Sequence, residues 1–543
     1  MESTPIQTTA LSCNQQNEDT YNLSEILNII DNVVEHSAFN ITIPKTTDDI
    51  FQHLLEGVEK IDFESLAFNG TYDDKFEEFN QREEDDGFPL NEDGSSEKCV
   101  KSEPNLQLKK LSSFVVTKNH YVIITVEELI TIAKINDWGL CKKNGNIYLY
   151  NGAYWIEVDK ERFQFFLGEV ALKMGVEKFK GKIHTFKTEL FKQFMADAFM
   201  STPPIKNDEV LINLQNGTFE IMPAKRGLKE FDQTDFLTHQ LSFEFDISAS
   251  APLFQKYLDE VLPDKDKQKV LAEYIGYIFI KPSLLKLEKV LLLFGTGANG
   301  KSVFFEIISA LLGSENMSNY SLQSLTNENG YFRAKLSGKL LNYVSELNAN
   351  FETSIFKQLA SGEPIETRLP YKEPFILTDY AKLMFNCNEL PKDAEQTTAF
   401  FRRFLIIEFD VTIPESSQDK ELSKKIIDSE LSGVFNWVLE GLDRLLKQKN
   451  FSKCAAIDNA RIEYEKKSDS VQLFIIENGF EGTTSKYILI SELHKMYKTF
   501  CTEDGYKPLG KSKFIERLNY LNLFVTRLNV GNVVYLSDSV PKT

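Results

Sequence analysis

The sequence predicts an α/β fold built on a parallel sheet that carries a phosphate loop, and three adjoining stretches predict it. Gly295-Thr296-Gly297-Ala298-Asn299-Gly300-Lys301-Ser302 fits the Gly-x-x-x-x-Gly-Lys-Ser pattern. Ahead of it, Val290 to Phe294 is wholly apolar, as a buried parallel strand requires. Behind it, Phe304, Ile307, Ile308, Leu311 and Leu312 share one helical face, and Gly313 stops the helix. Three glycines let the backbone bend so that successive N–H groups face an anion. The positive end of the following helix adds to the attraction. Lys301 can then reach β- and γ-phosphates, and the Ser302 hydroxyl can ligate Mg²⁺.

The 543 residues suit three or four domains, and a hydrophobic content of 42% suffices for their cores. No apolar run approaches the ~18–20 residues of a membrane span, and no signal peptide is evident. Six cysteines without paired spacing point to a reducing compartment, with neither a disulfide framework nor a zinc site. The expectation is a cytoplasmic protein without a membrane partner. The net charge of −19 is unevenly spread. Residues 1–110 hold 24 acids and 8 bases, whereas the remainder is nearly balanced. The acidity therefore does not argue against nucleic-acid binding outside that segment.

In chain order, residues 1–110 read as an acidic, largely disordered arm, in which short amphipathic pieces at 21–34 and 50–58 could be helical. It is either a solvated tail or an acidic peptide that docks on a partner. Residues 111–250 read as a compact α/β domain. It contains a hairpin around Asn151-Gly152, helices over 162–174 and 185–200, and a second hairpin around Asn216-Gly217. Residues 251–285 form a helical collar ended by Pro282.

The phosphate-loop core spans 286–412. In it, Lys339 to Glu346 reads as a strand ending in an acid, where a nucleotide hydrolase needs a carboxylate for Mg²⁺ or for the attacking water. Lys372 lies near the tip of a hairpin and could touch a DNA backbone. A third buried strand ends in Asn388, which could orient the attacking water, with Asn386 as competitor. Arg402 and Arg403 precede another strand and could supply an arginine finger to a neighbouring subunit. Residues 413–467 are helical. Residues 468–543 read as a winged helix, with Lys511, Lys513 and Arg517 on the helix that would meet DNA.

These motifs, in this order, resemble a superfamily III helicase of the phage, plasmid and poxvirus primase-helicase family. The resemblance runs through the phosphate loop, Val344-Ser345-Glu346, Leu359 to Phe375, Cys387-Asn388-Glu389-Leu390-Pro391 and Arg402-Arg403. It also takes in Asn151 to Trp155, Gly276 to Phe279 and Leu431 to Trp437, and covers about residues 120–540. It implies an AAA+-type ATPase that uses ATP and Mg²⁺, forms a homo-oligomeric ring, usually a hexamer, and moves along single-stranded DNA to open forked DNA. Lys301, Glu346, Asn388, Arg402 and Arg403 would be catalytic. Residues 295–302 would bind the nucleotide, Ser302 and Glu346 the metal, and Lys372 the DNA. The N-terminal region is too short and acidic for the primase that many relatives carry, which suggests a separate primase as partner. The expected function is an ATP-dependent replicative DNA helicase of a mobile element or virus. The alternative is an origin-binding initiator that uses ATP only for assembly.

Overall fold

The structure, a computed structural model, describes residues 46–68, 115–136, 138–143, 145–198, 209–223, 225–345, 347, 351–370, 372–390 and 397–538. The described chain is mixed α/β.

Residues 46–68 correct the expectation of an arm reaching to residue 110. Thr46 caps helix α1 (Thr47–Gly57) through a capping box with Asp49, which satisfies the first N–H groups of the helix. Ile50, Phe51 and Leu54 form an apolar stripe and are buried. Phe51 stacks on Phe166 with 4.0 Å between ring centroids, and the Trp138 indole donates to His53 at 2.7 Å. The acid-rich flanks dominate the composition, but a stripe this short needs only one partner face. The rest of the expected arm, 1–45 and 69–110, lies outside the described residues.

That partner face belongs to a body with its own core. It comprises α2 (Lys118–Ile135), the antiparallel meander β1 (Leu140–Lys143), β2 (Asn146–Tyr150) and β3 (Trp155–Val158), then α3 (Lys160–Met174), α4 (Lys178–Lys182) and α5 (His184–Asp197). Asp159 caps α3 by accepting from the Glu161 and Arg162 amides, and left-handed Gly175 ends it.

The core boundary does not fall near residue 250. The antiparallel sheet β4 (Val210–Leu214), β5 (Gly217–Met222) and β6 (Lys225–Lys229) shares one core with the helices and sheet that follow. Its inner face is apolar enough to need cover, and Phe219 and Phe245 meet Phe435 edge-on. The collar is two helices, α6 (Pro252–Val261) and α7 (Lys265–Tyr277). Pro263 cannot continue the first, and Asp264 caps the second.

Five strands form the central parallel sheet: β7 (Val290–Phe294), β8 (Met317–Ser318), β9 (Leu341–Val344), β12 (Lys382–Cys387) and β13 (Phe404–Glu408). Their order is β13-β7-β12-β9-β8, so β7 lies inside the sheet, with β13 on one side and β12 on the other. β10 (Ile365–Thr367) and β11 (Phe375–Leu377) form a separate hairpin after α9 (Thr353–Ser361). The 27-residue α10 (Leu422–Gln448) packs on α7 and on α8 (Lys301–Leu312). Its Gly441 is required there, because a Cβ would sit 2.4 Å from the Ala272 backbone. Beneath the α7–α10 contact the fully buried Glu273 pairs with Arg444 at 3.2 Å and accepts from Ser452.

After α11 (Ala455–Ser468), the C-terminal body packs α12 (Ser470–Glu477), α13 (Ile490–Glu503) and α14 (Lys511–Tyr520) around one apolar core. A three-stranded sheet completes it, with β14 (Ile488–Leu489) and β15 (Val525–Leu528) flanking β16 (Gly531–Val534). Gly531 opens the return strand opposite Leu528.

Candidate functional site

The loop after β7 is shaped by its positive-φ residues and fastened on three sides. Gly297, Ala298 and Gly300 all have positive φ, at 111°, 49° and 87°. Gly300 also faces a wall, since a Cβ there would lie 2.7 Å from Val261. The Gly295 amide donates to Cys387 O at 3.2 Å, which ties the loop to the end of β12. The Asn299 side chain donates to Phe409 O at 3.1 Å, and the Ile413 amide donates to Ala298 O at 2.8 Å. The Tyr257 hydroxyl donates to Gly300 O at 2.8 Å. Nothing in the motif pointed to Tyr257, because this contact spans 43 residues and depends on how α6 packs.

The loop hands over to α8, whose first amides have no acceptor within the helix. Lys301 stands at its first position with its ammonium turned back into the loop. It donates to Gly295 O at 2.6 Å and to Asn299 Oδ1 at 3.0 Å. Burial lowers its pKa, opposed by Cys387. Ser302, Thr296 and Ala298 are exposed. The result is a run of backbone donors with one cation and two exposed hydroxyls, those of Thr296 and Ser302, chemistry suited to a phosphate chain.

Parallel pairing brings the carboxyl ends of three strands to this loop. Cys387 is in register with Phe294, and Phe385 with Val344. Asn388 leaves β12 beside Gly295 with its side chain exposed. Asn386 is buried, and its Oδ1 accepts from the Tyr343 hydroxyl at 2.8 Å. The two asparagines therefore separate, one to structure and one to the open strand end. Ser345 is exposed at the end of β9, and Glu346 lies outside the described residues.

The arginines lie at the opposite end of the sheet. The Val290 amide donates to Arg403 O at 2.8 Å, so the pair stands where β7 begins, while the loop stands where β7 ends. Four residue steps of strand separate them, roughly 13 Å at the usual rise. Arg402 is exposed and pairs with Glu288 at 2.5 Å. Arg403 is buried, its guanidinium bonded to Ala399 O and, at 3.0 Å, to Ser361 Oγ. The two arginines therefore differ: Arg403 is tied into its own chain, and Arg402 is presented. Glu288, which the sequence reading missed, faces both.

Lys372 is exposed on the connection between β10 and β11, with its amide bonded to Leu369 O. Lys511 and Lys513 are exposed on α14. Arg517 is not presented as expected. It pairs with the buried Asp469 at 2.6 Å, and Asp469 also caps α12. One turn of α14 separates an outward residue from an inward one, so basic charge alone could not sort them.

Three segments match known families. Residues 128–263 match the family described as D5 N terminal like, and residues 466–526 match Poxvirus D5 protein-like. Residues 293–403 match a family of unknown function, DUF5906. "Putative helicase L207/L206" of Acanthamoeba polyphaga mimivirus is 24% identical over 399 residues, 61% of this chain. The match spans 40% of that relative's length. Among solved structures, the A form apo structure of the NrS-1 C terminal region covers 77% of this chain and 99% of its own, at 14% identity and a TM-score of 0.43. A second apo structure of that region gives 12% identity and a TM-score of 0.41 over 77% of this chain. Among the described residues no helix is long and apolar enough to cross a membrane.

Proposed function

We propose, on the matches to the D5 N terminal like and Poxvirus D5 protein-like families, that the chain is a viral D5-like primase-helicase and acts as an ATP-driven replicative DNA helicase, in a ring of identical subunits. One observation carries the reading: the glycine loop sits at the carboxyl end of β7 beside exposed Asn388, and exposed Arg402 stands at the opposite end of the same strand. No group at the amino end of β7 can reach a phosphate held at its carboxyl end. Arg402 would therefore serve a neighbour's site, and a site completed in trans calls for an assembly.

The donor set fits ATP with Mg²⁺. The amides at the start of α8 would hold the phosphates, and Lys301 would leave Gly295 O and Asn299 Oδ1 to donate to the β- and γ-oxygens. Ser302 Oγ would ligate the metal, with Glu346 as the carboxylate for metal or water. Bound Mg²⁺ neutralises charge on the phosphates. Asn388 would orient the attacking water. Glu288 would hold Arg402 extended until a neighbour docks. The AAA+-type core and the winged helix remain part of this reading. The strand order around β7 supports the first, and three helices with a twisted hairpin support the second. Lys372 would follow the DNA backbone and couple hydrolysis to movement.

Strand separation tests the proposal. Wild-type chain with ATP and Mg²⁺ should open a forked duplex bearing a single-stranded tail, and Lys301→Ala should not. Nucleotide-dependent assembly on intact duplex without strand separation would favour an origin-binding initiator instead.

A further inference from the structure

A basic, aromatic face lies on the N-terminal body, far in sequence from the hairpin and from α14. Between Lys178 and Lys192 the chain carries five lysines against one glutamate, in a protein of net charge −19. The same stretch exposes large apolar side chains: Phe179 is 76% and Ile183 50% exposed, and Phe165 on the adjoining helix is 61% exposed.

Contacts set α4 and the start of α5 against α3. The Lys187 stem crosses α3 at Gly168, where an added Cβ would lie 2.6 Å from Lys187 Cε. That crossing carries its ammonium to 5.1 Å from the Phe165 ring centroid. One turn further along the same stripe of α3, Leu172 abuts Gly181, between Lys180 and Lys182. Lys180 stands 3.7 Å over the ring of Tyr121 on α2. Among the described residues no acid stands within ion-pairing distance of Lys178, Lys182 or Lys187. The acids at this stretch are engaged with other lysines, Glu189 with Lys118 and Glu177 with Lys180, and a face used only for packing would not carry this charge. Cations spaced along α4 and α5 with open rings between them suit a flexible polyanion whose bases can stack.

We propose that this face of α3, α4 and α5 binds single-stranded DNA. Lys178, Lys182 and Lys187 would contact phosphates, and Phe165 and Phe179 would stack bases. Duplex DNA hides its base faces, so the open rings favour a single strand. The inference rests on the helicase reading and adds to it a further DNA contact, apart from the hairpin bearing Lys372 and from α14.

The test uses the full chain. Fluorescence anisotropy with a labelled oligo-dT is measured across a salt series for wild type, for Lys178→Ala/Lys182→Ala/Lys187→Ala, and for Phe165→Ala/Phe179→Ala. Thermal melts and DNA-free ATP hydrolysis confirm that folding and the nucleotide site are intact. Removing three phosphate contacts should flatten the slope of log affinity against log salt by about 2, at ~0.7 per single-strand phosphate. Loss of two stacking rings should weaken binding by about tenfold or more while leaving that slope unchanged. Folded variants that bind with wild-type affinity and slope overturn the proposal and leave the helicase reading intact, the more so if Lys372→Ala alone weakens binding. Wild-type chain that binds no oligo-dT, with hydrolysis indifferent to it, overturns both.

Discussion

The Gly295 amide donates to the carbonyl of Cys387 at 3.2 Å, so the first glycine of the phosphate loop is joined to the residue just before Asn388. This bond fixes the strand end that carries Asn388 against the loop, and it separates Asn388 from Asn386 two residues earlier. Asn388→Ala should lower ATP turnover by about tenfold to a hundredfold with an unchanged melting temperature. Asn386→Ala should do the reverse. It strands the buried Tyr343 hydroxyl, at about 1–3 kcal/mol of stability. Steady-state hydrolysis and thermal melts of both variants check this, and equal turnover in the two would count against the role of Asn388.

The arginines should divide in the same way. Arg402→Ala should lose about 10³-fold in turnover and keep its fold. Arg403→Ala should melt earlier, because it removes a buried guanidinium that joins Ala399, Ser361 and Glu288. If Arg402 serves a neighbour, mixing inactive Arg402→Ala with inactive Lys301→Ala should restore part of the activity. Each Arg402→Ala subunit then keeps a sound loop and borrows an arginine. No recovery in co-assembled mixtures would place Arg402 outside the site.

In the C-terminal body, Lys511→Ala/Lys513→Ala should weaken DNA binding and flatten its salt dependence, with stability within about 0.5 kcal/mol of wild type. Arg517→Ala should act on the fold. It leaves Asp469 buried and unpaired, at a cost of about 3–5 kcal/mol. Urea unfolding of the three-residue set distinguishes these effects. An Arg517→Ala protein as stable as wild type would show that the ion pair does not hold α14 to α12.

Stability should also respond to pH through Lys382. Burial lowers its ammonium pKa to about 8, with Asp379 opposing, and its side chain lies over Tyr277. The folded pKa is thus below the unfolded one. Between pH about 8 and 10 the unfolded chain holds a proton that the folded chain lacks, so stability rises with pH across that window. Below it the folded state carries a constant penalty on the order of 3 kcal/mol. Lys382→Met should be more stable at pH 7 and should flatten that rise. A variant that follows the wild-type profile from pH 7 to 10 would exclude Lys382 as its source.

Much of this was legible in the sequence where a local pattern suffices. The β7 run, the glycines, the α8 stripe and the hairpin strands at Asn146 and Trp155 each carry their signal within a dozen residues. What stayed hidden depends on contacts far apart in the chain. Tyr257 meets Gly300, Glu288 meets Arg402, and Asp469 takes Arg517 inward. The amphipathic piece at 50–58 was legible as a helix, α1, but its docking on a packed body was obscured because acidic neighbours outweighed its one apolar stripe. The shared core of β4 to β6 and α10 was obscured because a sheet's inner face does not announce its partner. The long α2 has apolar residues all round and so no clear period to read.

The central claim is that nucleotide hydrolysis at Lys301 is coupled to single-stranded DNA. It is tested most directly by ATP hydrolysis measured with and without an oligonucleotide, on wild type and on Lys301→Ala. The account predicts wild-type turnover that rises severalfold with single-stranded DNA and variant turnover at background in both conditions. Wild-type turnover that is unchanged by DNA, or hydrolysis that survives in Lys301→Ala, would contradict it.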